Sequence, residues 1–546
     1  MVKLADNYQI DNNEFTKIGI KVPSYNQDKM KEQTAKEPLW VHFGGGNLFR
    51  AFHAMIAQKL LNKGEMKSGV IVAESYDDEV ISKVYKKYND RHLSVVMNAD
   101  GSLDEELVTS VADAIYYSKT NPDGWEKLAK IFENPSLQLA TFAFTEKGYK
   151  LNDADGNLTA AAKSDMDNDP EKASTNMGAV ARLLYHRYLA GQYPIAMVST
   201  DNFSQNGLEL ETEVMKIANG WQQNGIVEDD FIDYLKDRKK VSFPWTMIDR
   251  ITPNPSTTVA EELKEQGFED DEIIHTSKHT NIAPFTNTEE THYLVIEDDF
   301  PNGRPKFEDA GVIMADRKTV NDADQMKVTA CLNPLHTSLA ILGCLLGFTS
   351  IATEVQDPDL KKEIMNLGYG EDLPVVKDPK IINPKKFIDE LVTKRLPNKN
   401  IPDTPQRIAS DTSQKIPIRY GVTIKHYVDN PDLDPKNLRF IPFIIAAWCR
   451  YLMGIDDNGD EFQTSPDPLY DGLHQVVASV KLGTTDIDVS ALLKPILSNQ
   501  EIFANDLYAI GLAPIIENDF KKLIAGPGAV RKELHDLVEN HSYELN

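Results

Sequence analysis

Ten residues, KVTACLNPLH from 327 to 336, set a lysine, an asparagine and a histidine into an otherwise apolar stretch. Lys327, Asn333 and His336 stand among Val328, Ala330, Cys331, Leu332 and Leu335. Taking an ammonium group out of water costs free energy unless something offsets it. Lys327 therefore either reaches solvent along its flexible stem or has a chemical task. Burial moves lysines toward neutrality, the condition for accepting a proton near pH 7. A second stretch, HFGGGN, ends in Gly44, Gly45 and Gly46, with Asn47 following. Such a turn lets backbone approach a pyrophosphate held at a helix N-terminus.

The elements around the glycines support that use. A short apolar run precedes them, and Leu48, Phe52, Met55, Ile56 and Leu60 then recur at helical spacing until Gly64. GVIVAE follows as a strand ending on Glu74, so the order is strand, glycine turn, helix, strand. Gly44 and Gly46 fill two positions of G-x-G-x-x-G, but Phe49 occupies the third. Alone, the motif fits a glycine turn with no ligand equally well. Glu74 is placed to accept ribose hydroxyls and repel a 2'-phosphate, favouring NAD over NADP; a solvated strand end is the alternative. Further strands are expected at LQLATFAF and PIAMVSTDN, strands or turns at FPWTMIDRITP and HYLVIEDDFPNGRP, and a helix at AVARLLYHRYLAG. Residues 1 to about 37 read as a polar, irregular lead-in. Past about residue 310 the pattern turns to long helical stretches. The expected architecture is an α/β Rossmann-like domain over residues 1–310 and a mainly α-helical domain over residues 311–546.

Bulk composition narrows the classes. A chain of 546 residues exceeds what one core usually supports. With 41% hydrophobic and 26% charged residues it is globular rather than disordered. A net charge of -26 repels nucleic-acid phosphates and anionic membranes, yet permits a cationic pocket for a small anion. Cys331, Cys344 and Cys449 show no paired spacing, which suits buried thiols in a reducing compartment. The N-terminus lacks the apolar core of a signal peptide, and SLAILGCLLGF is too short to span a bilayer. A cytoplasmic protein, monomeric or a weak homo-oligomer, with a small-molecule substrate and no nucleic-acid or membrane partner, is expected.

Seven stretches, in order from about residue 40 to 417, together resemble the mannitol dehydrogenase family of polyol-specific long-chain dehydrogenases. They are HFGGGNLFRA, TEKGY, STDNFSQNG, FPWTMIDRITP, VIEDDFPNGRP, LNPLHTSLA and DTSQKIP. The resemblance implies a Rossmann-like domain followed by a helical one, an active site between them, and NAD(P)-dependent, metal-independent oxidation of a secondary alcohol. Carried over by motif, Lys327 is the general base. Asn333 and His336 match the family's N-x-x-H, Asn202 the asparagine of TDN, and Asp249 the aspartate of DRITP. Arg407 and Lys415 match the basic pair around SDTSQK. Two departures stand out. Lys327 and Asn333 are six steps apart where the family usually has five, which on an ideal helix separates the side chains by about 120°. The family's NFHRAH reads NLFRAF.

The residues permit other readings. Asn333 ahead of Pro334 suits a helix N-cap, Asn202 a turn, His336 a satisfied core group, and Asp249 an ion pair with Arg250. Arg407 and Lys415 lie on a loop-like stretch where basic residues usually face solvent. Converging, they would suit a carboxylate, which arginine grips as a fork. That tilts the expected reaction toward D-mannonate/D-fructuronate, with mannitol/fructose or tagaturonate reduction as alternatives. From another class, a non-catalytic NAD-binding sensor is the competing reading. A zinc alcohol dehydrogenase is disfavoured because no cysteine–histidine ligand cluster appears.

Overall fold

Runs such as WVHF, VIVAE and LATF are too short for helices and too apolar for a solvated face, as expected of strands covered on both sides. The computed structural model describes residues 1–542. It joins these runs in a six-stranded sheet: β1 (Trp40–Phe43), β2 (Val70–Glu74), β3 (Val111–Tyr116), β4 (Leu139–Phe142), β5 (Ile195–Ser199) and β6 (Val241–Ser242). All neighbours pair in parallel, in the order β3-β2-β1-β4-β5-β6. The chain thus moves outward from β1 in one direction and restarts at β4 in the other. Such a reversal leaves a crevice at the carboxyl ends of the central strands.

The two faces of the sheet follow the period of two along each strand. Val41, Phe43, Ile71, Ala140 and Phe142 pack with Leu128 and Phe132 of the helix Pro122–Glu133 and Leu183 of the helix Asn176–Gly191. Trp40, Val70, Val72, Leu139 and Val198 face the other way, with Ala57 and Leu60 of the helix Ala54–Asn62. Gly64, at φ +71°, follows that helix's end, as the sequence predicts.

Two compact units divide the chain. One comprises Met1–Asn98 and Ser102–Asn321; the other carries Asp322 onward together with Ala99–Gly101. The division falls later than residue 310 because the strand Ile313–Ala315 pairs with Tyr293–Glu297 and stays with its sheet. The polar lead-in is not irregular. It contains helices Asn12–Lys17 and Gln27–Lys36, the latter capped by Asn26. Only Gln27, Met30 and Thr34 of that second helix are buried, a stripe too narrow to register as an apolar period.

The second unit is helical. Its central helices are Asn333–Leu345 and Phe440–Tyr451, the latter buried at every residue. The helical run Arg317–Leu345 is 29 residues long and apolar enough, by length and composition, to cross a membrane, contrary to the shorter stretch read from sequence. Its most apolar window is 83% buried inside the protein, as in the core helix of a globular unit.

Candidate active site

At the carboxyl end of β1 the chain turns through Gly44 at φ +106°. A Cβ there would lie 2.5 Å from the Ala143 carbonyl oxygen, so only glycine fits. A Cβ on Gly46 would meet nothing within 4 Å, which leaves its face open to a ligand. Gly45 is fixed from behind: its carbonyl accepts from the Tyr85 hydroxyl at 2.8 Å, and its N–H donates to Glu74 Oε2 at 2.9 Å. Helical structure begins at Asn47, whose side-chain amide reaches the Asn281 carbonyl at 3.5 Å and whose Oδ1 accepts no bond among the described residues.

Phe49 replaces the third glycine without losing the turn. Its ring stacks on His42 at 4.4 Å between centroids, within a π-helical turn spanning Phe49–His53. Burial holds both neighbouring imidazoles neutral, with His42 far below the usual histidine range and His53 lowered to about 4.

Gly44, Gly46, Glu74, Tyr117 and Thr145 line a cleft of about 750 Å³ in the first unit. That is a ligand-sized volume. The carboxylates around it are already bonded. Glu74 also accepts from the N–H groups of Ser75 and Tyr76 at 3.0 and 2.8 Å. Asp201 accepts from the N–H groups of Phe144 and Thr145 at 2.8 and 3.0 Å, and from the Tyr149 hydroxyl at 2.6 Å. It thereby fixes a cleft-lining loop in which Thr145 takes φ +66°. Burial pushes the Asp201 carboxyl up from its ordinary value.

Two more predicted residues lie in this unit. Asn202 is exposed, on the bend after β5, and Asp249 is buried at the end of the strand Thr246–Asp249. Neighbouring Arg250 donates to Thr288 Oγ1 and the Glu289 carbonyl.

In the helical unit Lys327 is only 2% exposed, with its Nζ 3.6 Å from Asp324 Oδ1. It opens a π-helical turn, Lys327–Cys331, closed by the Leu332 N–H on the Lys327 carbonyl at 3.1 Å. A π turn takes up one residue beyond α geometry. The six-step stretch from Lys327 to Asn333 contains such a turn. Asn333 begins the next helix, with Pro334 behind it and Leu332 in the cap position, so Asn333 is not the N-cap. His336 follows on the same helix, half-buried.

The stretch carrying Arg407 and Lys415 is helical rather than loop-like, in two short pieces, Pro405–Ile408 and Thr412–Ile416. The Arg407 side chain is 70% exposed and pairs with Asp403 at 2.7 Å. Lys415 turns inward, donating to the carbonyls of Ile408 and Ser410. Burial, reinforced by Arg419, pushes its pKa down to about 8. Arg419 was missed from sequence. Its guanidinium bonds to Thr337 Oγ1, one position after His336, and burial lowers it to about 10. The usable signal was its four-residue spacing from Lys415 on a helix, hidden by the intervening Pro417.

The comparisons match both halves of this arrangement. A family model described as the Mannitol dehydrogenase Rossmann domain covers residues 39–309, and one described as the Mannitol dehydrogenase C-terminal domain covers 320–524. A Thermotoga maritima protein named D-mannonate oxidoreductase is 52% identical over 524 residues, 96% of each chain. A substrate-free D-sorbitol dehydrogenase structure superposes with a TM-score of 0.74 at 24% identity, over 93% of this chain and 97% of that one. The Pseudomonas fluorescens mannitol 2-dehydrogenase, in ternary complex with NAD and D-mannitol, gives 0.68 at 22% identity, over 96% of each chain. With a glycine turn on a reversed parallel sheet and a buried lysine in a helical second unit, the chain belongs to the mannitol dehydrogenase family.

Proposed function

We propose that the protein is an NAD-dependent oxidoreductase interconverting D-mannonate and D-fructuronate. The observation that carries this reading is the 52% identity, over 96% of both chains, to the D-mannonate oxidoreductase of Thermotoga maritima. The dinucleotide fits the first unit: Gly46 leaves backbone open at a helix start, and Glu74 stands at the end of β2 beside it. Gly44, Gly45, Gly46, Asn47 and Glu74 would hold it, and when bound it accepts or returns the hydride.

The proton falls to the protein. Lys327 takes the hydroxyl proton in the oxidation direction and returns it in reduction. The Asn333 amide donates to the oxygen on which charge develops, a contribution of about 3 kcal/mol in comparable sites. His336, three residues further along the helix, binds a neighbouring hydroxyl. The family motif gives Asn202 the part of a second donor and Asp249 that of an orienting carboxylate. Each of these roles is open to replacement one residue at a time.

NADH consumption with D-fructuronate, D-tagaturonate and D-fructose tests the reaction. Turnover of D-fructuronate well above the other two is expected. Turnover of fructose alone refutes the sugar-acid assignment and leaves mannitol oxidation in its place.

A further inference from the structure

Among the described residues, Arg419 and Lys415 form a pair of inward-turned cations that no carboxylate bonds, although Asp411 and Asp467 lie near enough to act on Lys415. The chain has 84 acidic and 58 basic residues, so cations have carboxylates in excess. Exposed Arg407 finds Asp403, and Lys425 finds Asp429. Yet Arg419, with its guanidinium largely withdrawn from solvent, bonds only to the Thr337 hydroxyl, and Lys415 only to two backbone carbonyls, among the described residues. Positions 415 and 419 are one helical turn apart, close enough for Arg419 to disfavour the charge on Lys415. A buried charge normally ends up paired. Two adjacent cations left unpaired in an acid-rich protein mark a place that an anion completes.

The position of the pair says which anion. Thr337, which anchors Arg419, lies four residues after Asn333 on the helix Asn333–Leu345 and therefore on the same face. Tyr420, next to Arg419, bonds the Pro334 carbonyl at 2.8 Å and ties the two segments together along that face. Asn333 and Thr337 are thus about one turn apart, ~5.4 Å along the axis. In the open-chain keto acid the carboxyl carbon is four bonds from the ketone carbon, a span of the same order. We propose that Arg419, with Lys415, binds the carboxylate of the sugar acid, and that Arg419 rather than Arg407 is the arginine that selects an acid over a neutral polyol. The proposal rests on the sugar-acid reading above and deepens it.

The test is D-mannonate affinity in the presence of NAD, by calorimetry, for wild type, Arg419→Gln and Arg419→Lys. Arg419→Gln is expected to weaken D-mannonate at least tenfold, and Arg419→Lys to recover part of the loss, since lysine keeps the charge but not the fork. Thermal unfolding of the full chain, together with NAD affinity, reports whether each variant is folded. A change under twofold in D-mannonate affinity with NAD binding intact overturns the proposal. Should Arg419→Gln fail to fold, the wild type decides: D-mannonate must bind at least tenfold more tightly than mannitol, and equal affinities overturn the assignment. A wild type that binds D-mannonate through Arg419 but does not turn over D-fructuronate refutes the reaction and leaves the carboxylate site standing.

Discussion

The cleft at the glycine turn and the interior of the helical unit differ in how completely their charges are bonded. Around the cleft, Glu74 and Asp201 have both oxygens bonded to backbone N–H groups or hydroxyls, and Asp77 accepts from Thr276, Thr280 and the Glu79 N–H. Inside the helical unit, neither Glu354 oxygen accepts a bond among the described residues, and Glu363 and Asp372 each have one oxygen without a partner. Burial, with Asp403 nearby, pushes Glu354 up to about 9; Glu363 rises to about 8. Among the described residues no carboxylate forms an ion pair with the cations at 415 and 419, although Asp411 and Asp467 act on Lys415 from further off. In the first unit side-chain charge shapes backbone, and the backbone binds. In the second, some charge does the same, as Glu371 with the N–H groups of Arg439, Phe440 and Ile441, but Glu354 is suppressed by burial.

The largest effect expected from this contrast is on Lys327, the buried amine of the helical unit. Lys327→Ala should lower kcat about 10²–10⁴-fold, the usual contribution of a positioned acid–base group. NAD affinity should hardly change, because the glycine turn binds through backbone. If a wild-type activity survives the substitution, the base is misassigned.

The glycine turn yields a paired test on the other side. Gly44→Ala forces a side chain into a left-handed conformation against the Ala143 carbonyl, so a stability loss of about 1–3 kcal/mol is expected in denaturant unfolding. Gly46→Ala meets no protein atom, so stability should hold while the KM for NADH rises several-fold. Equal stability losses at the two positions would show that the open face of Gly46 is not where the dinucleotide approaches.

The same contrast explains what was legible in the sequence. The strands, the glycine turn and Glu74 were readable because a βαβ unit is written in local signals: short aliphatic runs, glycines and a helical period. Phe49 broke the glycine pattern without breaking the turn, because a π turn and the His42 ring accommodate it. In the helical unit the decisive geometry was not local. The six-step stretch from Lys327 to Asn333 contains a π turn, and no periodicity of apolar residues announces such a turn. Arg407 and Arg419 are chemically alike in sequence, and only tertiary packing makes one solvent-facing and the other inward-turned. The helix Gln27–Lys36 escaped notice because it buries so little.

Glu354 sharpens the comparison through stability. Its folded pKa, about 9, lies above the ordinary value of 4.5, so the folded protein holds a proton that the unfolded chain releases. The stability this contributes is fully present below about pH 4.5 and is lost as pH rises through about 9. Glu354→Gln keeps the neutral shape and removes the titration. It should be more stable than wild type at pH 8, by ~1–3 kcal/mol, with a flatter stability–pH profile. An unchanged profile in urea unfolding between pH 5 and 9 would mean that the carboxyl is ionised in the fold and solvated in some other way.

The smallest effect concerns Lys415, where suppressed charge and ligand charge meet. With a pKa of about 8 it loses its proton as pH rises from 7 to 9, leaving roughly a tenth charged one unit above the midpoint. The groups that act on it are Arg419 and Arg407, which lower its pKa, and Asp411 and Asp467, which raise it. None is of a type that changes charge in that window, and Arg419, at about 10, lies above it. D-mannonate binding should therefore weaken a few-fold between pH 7 and 9. The bound carboxylate itself favours the protonated amine, which keeps the change below the full loss of one charge. Lys415→Arg, charged throughout, should bind with a nearly flat profile over the same range. If wild type and variant weaken in parallel, the titrating group lies elsewhere, and the carboxylate is held by Arg419 without its neighbour.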